Sequence, residues 1–216
     1  SATIDSGKKV ILDLNGKVIV MDANSKITNN GELQIQDTLN GTLQTSNYIA
    51  NYGTLTVNSG NVVGQGKYHT IISNSETSVV NVNGGTLKSE YDGDLVTIQI
   101  SKGNLNITEG SFTSKYRCIQ SAEDNVSGEI TITGGNFVAT GGAKISYQAE
   151  PFYIARGTLN ITGGTFTGDL MGLGIYNNIT IDGATIIGKE QVGLCNMDTG
   201  TVQISNSNIS STEADG

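Results

Sequence analysis

The chain has 216 residues, a formal net charge of −8, 36% hydrophobic residues and 15% charged residues. Globular domains average roughly 45–50% apolar and about 25% charged, so the missing share has gone to 29 glycines together with Asn, Thr and Ser. That balance argues against a helical bundle, which is built from Leu, Ala, Glu and Lys, and its modest net charge argues against charge-driven disorder.

Residues 10–16 (VILDLNG) and 18–20 (VIV) begin the chain with two short apolar strands. A motif then recurs: GTLTVNSG at 53–60, GNLNITEG at 103–110, GEITITGG at 128–135 and GTLNITGG at 157–164. Weaker copies are GELQI (31–35), SVVNVNGG (78–85), NNITIDG (177–183) and GTVQIS (200–205). The first apolar position of each copy is Leu33, Leu55, Val80, Leu105, Ile130, Leu159, Ile179 and Val202, at spacings of 22, 25, 25, 25, 29, 20 and 23 residues. A fixed period of this size is the mark of a stacked-repeat architecture.

Within each copy apolar and polar residues alternate, as in Leu105, Asn106, Ile107 and Thr108, which is the pattern of a half-buried strand. Five residues past the second apolar position stands another apolar residue: Val62, Leu87, Phe112, Phe137, Phe166, Ile186 and Ile209. Asn-Gly, Gly-Gly or Asp-Gly often marks the turn between them. A third apolar cluster follows, as at residues 48–50, 70–73, 95–98, 118–120, 152–154, 174–176 and 193–195. Three short strands per unit of about 24 residues describe one coil of a solenoid, which buries its apolar face only by stacking on the next. The expected fold is all-β: a right-handed single-stranded parallel β-helix of about nine coils, forming one domain over residues 1–216. At the parallel spacing it is a rod about 40 Å long.

Twenty acidic and twelve basic residues repel phosphate backbones and anionic lipid, so no nucleic-acid partner is expected. No apolar run approaches the ~20 residues that span a bilayer, so no membrane insertion is expected either. Cys118 and Cys195 fall on similar strands three coils apart, about 14 Å. A disulfide needs Cα atoms within about 7 Å, so both are expected to be free thiols.

The phrases LDLNGK (12–17) and GTLNITGGTF (157–166) resemble the repetitive β-helix modules of large bacterial cell-surface and secreted proteins of the gut Gram-positive, adhesin-like type. The resemblance covers nearly the whole chain and rests on scaffold positions. It implies an extracellular or cell-surface location, flanking domains of a larger chain from which this module is excised, and host or bacterial glycans as ligands. The expected role is a non-catalytic stalk or binding surface. The alternative is a glycan-binding module or a carbohydrate-active enzyme of the polysaccharide lyase or glycoside hydrolase type.

Polygalacturonase-like signatures are absent, and the single histidine, His69, lacks a Gly-His-Gly setting. The two arginines, Arg117 and Arg156, adjoin third-strand segments. Tyr91 and Tyr116 each lie eleven residues beyond the first apolar position of their coils, and Tyr68 thirteen beyond its own. The three are expected to stack on one edge, among Lys67, His69, Glu90, Asp92, Asp94, Lys115 and Arg117. Tyrosine offers a sugar an apolar ring and a hydroxyl, so Tyr68, Tyr91, Tyr116, Asp92 and Arg117 form the candidate ligand site. Three readings stay open there: an aromatic ladder that only caps strand ends, a glycan groove, or catalysis by Asp92 or Asp94 with Arg117.

No cofactor is expected. Asp22, Asp37, Asp124 and Asp198 are scattered and make no calcium motif. The Asn-x-Ser/Thr sequons, at Asn125 among others, follow from the repeat itself. Threonine ranks such as Thr131/Thr133 hint at ice binding, but the equivalents Asn106/Thr108, Asn160/Thr162 and Gln203/Ser205 do not sustain them.

Overall fold

The computed structural model describes residues 1–122, 128–141, 150–155, 157–176, 178–196 and 200–212. Arg156, Asp124, Asn125 and Asp198 therefore lie outside the described residues. The described chain is a parallel β-solenoid of about eight full turns, close to the nine coils expected, and contains no helix among the described residues.

Among the described residues, three faces of nine strands each run along the rod. The first face comprises Ala2–Ile4, Ile27–Asn29, Ile49–Asn51, the early part of Ile71–Val82 and of Ile98–Ile107, Ile119–Ser121, Phe152–Ile154, Leu173–Ile175 and Leu194–Asn196. The second comprises Lys9–Asp13, Glu32–Gln36, Thr54–Val57, the later part of the same two long strands, Glu129–Ile132, Thr158–Ile161, Ile179–Asp182 and Val202–Ser205. The third runs from Val18–Met21 to Asn208–Ser211 through Thr86–Ser89 and Ser111–Ser114. Ile71–Val82 and Ile98–Ile107 turn the corner from first to second face without a break, with a shift of register at Ser73 to Val79.

The repeated motif becomes a set of columns. Val10, Leu33, Leu55, Val80, Leu105, Ile130, Leu159, Ile179 and Val202 stand in one parallel register on the second face. Ile19, Leu43, Val62, Leu87, Phe112, Phe137, Phe166, Ile186 and Ile209 form the matching column on the third. Both point inward because side chains alternate across a strand, and from Leu33 to Ile186 they are buried. In the middle of the rod aromatic rings take over the core. Phe137 is stacked between Phe112 at 4.5 Å and Phe166 at 4.8 Å, with Phe152 edge-on at 4.9 Å.

The corner between first and second faces starts as a polar spine. The Asn29 side-chain amide donates to Asn51 Oδ1 at 2.8 Å and to the Thr54 carbonyl, and Asn51 donates to the Gly53 and Val79 carbonyls. Buried amides of this kind satisfy backbone carbonyls that the corner takes out of the ladder. The turn from second to third face needs glycine. Gly85 has φ +83°, and a Cβ there would run into the Gly60 carbonyl of the preceding coil.

The first coil differs from the rest. Its inward column continues, but the outward positions Ile11, Val18 and Val20 are 54%, 60% and 67% exposed. The residues beside them on the next coil are Gln34, Thr42 and Gln44.

Candidate functional site

The turns from third to first face form one edge of the rod, and tyrosines recur along it. Tyr48, Tyr68, Tyr91 and Tyr116 each fall between a third-face strand and the following first-face strand in successive coils. All three sequence-predicted tyrosines thus share an edge. Their rings do not form one stack: Tyr68 packs on Tyr48 at 5.5 Å, tilted by 56°, whereas Tyr116 lies under the Arg117 guanidinium at 4.5 Å. Among the described residues no ring contact joins Tyr68, Tyr91 and Tyr116. The two extra residues before Tyr68 bring it onto the preceding coil's Tyr48. Tyr68 is exposed, Tyr91 half-buried and Tyr116 buried.

Arg117 is a buried charged group of the edge. Its guanidinium is sandwiched between Tyr116 and Tyr153, the latter at 3.8 Å. Nε and Nη2 both reach Glu150 Oε1 at 2.7 Å, and Nη1 donates to Gln120 Oε1 at 3.0 Å. Burial pushes the Glu150 carboxyl above its ordinary range, while Arg117 pulls it back. Among the described residues, Glu150 Oε2 and Gln99 Oε1 are buried without a hydrogen-bond partner. Tyr153 in turn meets Tyr176 edge-on at 5.2 Å. This clamp ties Glu150, just ahead of Phe152–Ile154, to the turn before Ile119–Ser121, and its acid partner was not among the expected residues. Its one sequence signal is the 29-residue spacing from Ile130 to Leu159, the longest in the chain.

Asp92 stands in a different setting. Its carboxylate takes a 2.8 Å hydrogen bond from Lys115, which holds its pKa below the usual carboxylate range. Glu90 is held down in the same way, by Lys88 first and then by Gln65. Lys88, Glu90 and Lys115 line an open groove of about 450 Å³ with Thr113 and Thr140. Asp92 and Arg117 are thus not brought together: each has its own counter-charge. His69 Nδ1 accepts the Val96 amide at 3.1 Å, and burial lowers its pKa.

Asp37, read as one of several scattered acids, has a structural task. Its carboxylate accepts the amides of Gly16, Gly41 and Leu39 at 2.7, 2.6 and 2.8 Å, which lowers its pKa. It ties the turn of the first coil to that of the second. Among the described residues no group of three or more His, Cys, Asp or Glu side chains is placed to hold a metal ion. Cys118 and Cys195 are unpaired, as expected, although Cys118 lies just ahead of Ile119–Ser121 and Gln120, not Cys118, shares the column of Cys195.

A second groove, of about 330 Å³, lies on the second face near its C-terminal end, lined by Thr158, Asn160, Asn178, Thr180, Thr201 and Gln203 over Leu159 and Ile179. Comparison of the chain with protein-family models, curated proteins and solved structures finds no match.

Proposed function

We propose that this chain is a non-catalytic β-helical module of a bacterial surface or secreted protein, acting as an adhesin-like stalk and binding surface. The observation that carries the reading is how the side chains are spent. Inward columns are committed to one continuous core, Asp92 and Arg117 are each paired with another charge, and the outward columns are left as a long regular surface. The rod belongs outside the cell, with flanking domains of a larger chain at its ends. Beads coated with the full chain test the role directly: retention on mucin or bacterial cell-wall surfaces above that of albumin-coated beads is expected. Equal retention speaks against an adhesive surface and leaves only the stalk.

A second reading, glycan capture at the tyrosine edge, is favoured by the groove beside Lys88, Glu90 and Lys115. Paired charges there offer both donors and acceptors to sugar hydroxyls, and Tyr91 supplies an aromatic surface in the same turn. A glycan array probed with wild type and Tyr91→Ala distinguishes it, since loss of signal in the variant places the sugar at this edge.

A further inference from the structure

The outward columns are not alike. On the second face the central outward column from the third coil onward reads Thr56, Asn81, Asn106, Thr131, Asn160, Thr180 and Gln203. Every one of these is an uncharged side chain that both donates and accepts hydrogen bonds. The corresponding late column of the third face is mixed, with Val63, Lys88, Val138 and Ile187 among its members. Water alone would be served equally well by Lys and Glu, which the chain places elsewhere. The absence of charge in this one column, in a molecule carrying −8 overall, is therefore specific to the column, since flanking outward positions of the same face include Glu32, Glu129 and Asp182.

Beside the central column runs a second row on the same face, Asn58, Asn83, Thr108, Thr133 and Thr162, next along each strand, which continues at Asp182 and Ser205. Neighbouring amides are oriented along the rod: Asn106 donates to Asn81 at 3.0 Å and Asn83 to Asn58 at 2.9 Å. Toward the C-terminal end the pattern deepens into the 330 Å³ groove. Short threonines (Thr158, Thr180, Thr201) alternate there with longer amides (Asn160, Asn178, Gln203). That volume falls within the range of small-ligand sites.

We infer that the second face is a binding surface for an uncharged glycan chain lying along the rod axis and seated in the Thr158–Gln203 groove. The chemistry matches on each count. Sugar hydroxyls donate and accept, as amides and threonine hydroxyls do, and ring C–H groups rest on threonine methyls. One polar side chain recurs per coil, at about 4.8 Å, so an extended polymer meets the same partners repeatedly. The mixed Asn/Thr/Gln ranks suit such a ligand better than an ice lattice, which calls for uniform threonines. No charged side chain lines the groove, although Glu129 accepts from the groove's Asn160 at 3.4 Å, so binding there depends on salt less than binding at the Lys88–Glu90–Lys115 groove.

This goes beyond the stalk reading, which survives a chain that binds no sugar. Native gels containing soluble glucan, mannan or xylan test it on the full chain, with polygalacturonate as the charged control. The expected result is retardation by at least one neutral polymer, alike in low and high salt. Affinity should fall about tenfold or more in Thr180→Lys and in Thr158→Val/Thr180→Val, and stay unchanged in Tyr91→Ala. The valine pair keeps the β-branched shape of an outward strand position, so its fold, checked by thermal melting, survives the change. No retardation by any neutral polymer overturns the inference. So does retardation that Tyr91→Ala abolishes and the threonine variants do not, or binding to polygalacturonate alone.

Discussion

Arg117 and Glu150 meet at 2.7 Å with side chains only 5% and 1% exposed, across 33 residues of chain. A buried pair contributes little net stability as a pair, but removing one partner strands the other's charge. Arg117→Ala is expected to cost about 3–5 kcal/mol, and replacing both residues by Met and Leu to cost much less. Urea unfolding of the three proteins reads the difference; equal losses would show that the clamp's effect is packing alone. Because Glu150's folded pKa is raised, its contribution is largest below the ordinary Glu pKa and declines as pH rises through the folded value. Glu150→Gln removes that slope.

Asp37 behaves in the opposite sense. Its folded pKa is depressed by backbone amides, so the stability it supplies is present above its unfolded pKa and lost as pH falls through the folded value. Asp37→Asn turns an acceptor into a partial donor facing Gly16, Leu39 and Gly41. The variant is expected to have a lower urea midpoint at pH 7, and wild type to lose its advantage below about pH 4. A midpoint difference that does not narrow as pH falls below about 4 contradicts this account.

His69 adds a second acid-sensitive element. It is held neutral by burial and accepts the Val96 amide. With its folded pKa lowered, stability is full above the unfolded pKa near 6.5 and drops as pH falls below it. His69→Gln keeps an acceptor without a titrating proton. Its stability is expected to be flatter than wild type between about pH 5 and 7, measured as urea midpoint against pH.

Phe137 carries the middle of the core, touching Phe112, Phe152 and Phe166. Phe137→Ala is expected to cost about 3–5 kcal/mol and Phe137→Leu clearly less. A calorimetric melt showing no change for the alanine variant would mean that the aromatic stack is idle.

How much of this could be read from the residues alone follows from what repeats. The columns through Leu105 and Phe112 were legible because inward positions recur at near-constant spacing and alternate with polar ones. The first coil was legible in its strands but not in its outward Ile11, Val18 and Val20, since apolar runs do not announce which side faces out. Tyr68, Tyr91 and Tyr116 were placed on the right edge, yet two extra residues sufficed to send Tyr68 to Tyr48. Arg117's tie to Glu150 left only the 29-residue spacing from Ile130 to Leu159 as a trace, because a contact made once has no period to announce it.

The thiols give a compact check on register. Cys118 is buried, with its pKa pushed up to about 12, whereas Cys195 is half-exposed. A thiol reagent is expected to modify one cysteine in the native protein and two after denaturation without reductant. Finding none after denaturation would contradict the placement of the two strands.

Each column has a consequence for heredity. Since a side chain's partners stand one repeat before and one repeat after it, copying a whole repeat within the gene copies both halves of every contact, and deleting one brings compatible partners together. Point changes in an inward column disturb two neighbours, while gain or loss of an entire coil disturbs almost none. The length of such a rod is therefore its most easily inherited variable, and the stretches at 103–110 and 157–164, alike at six of eight positions, show how closely two of its coils match.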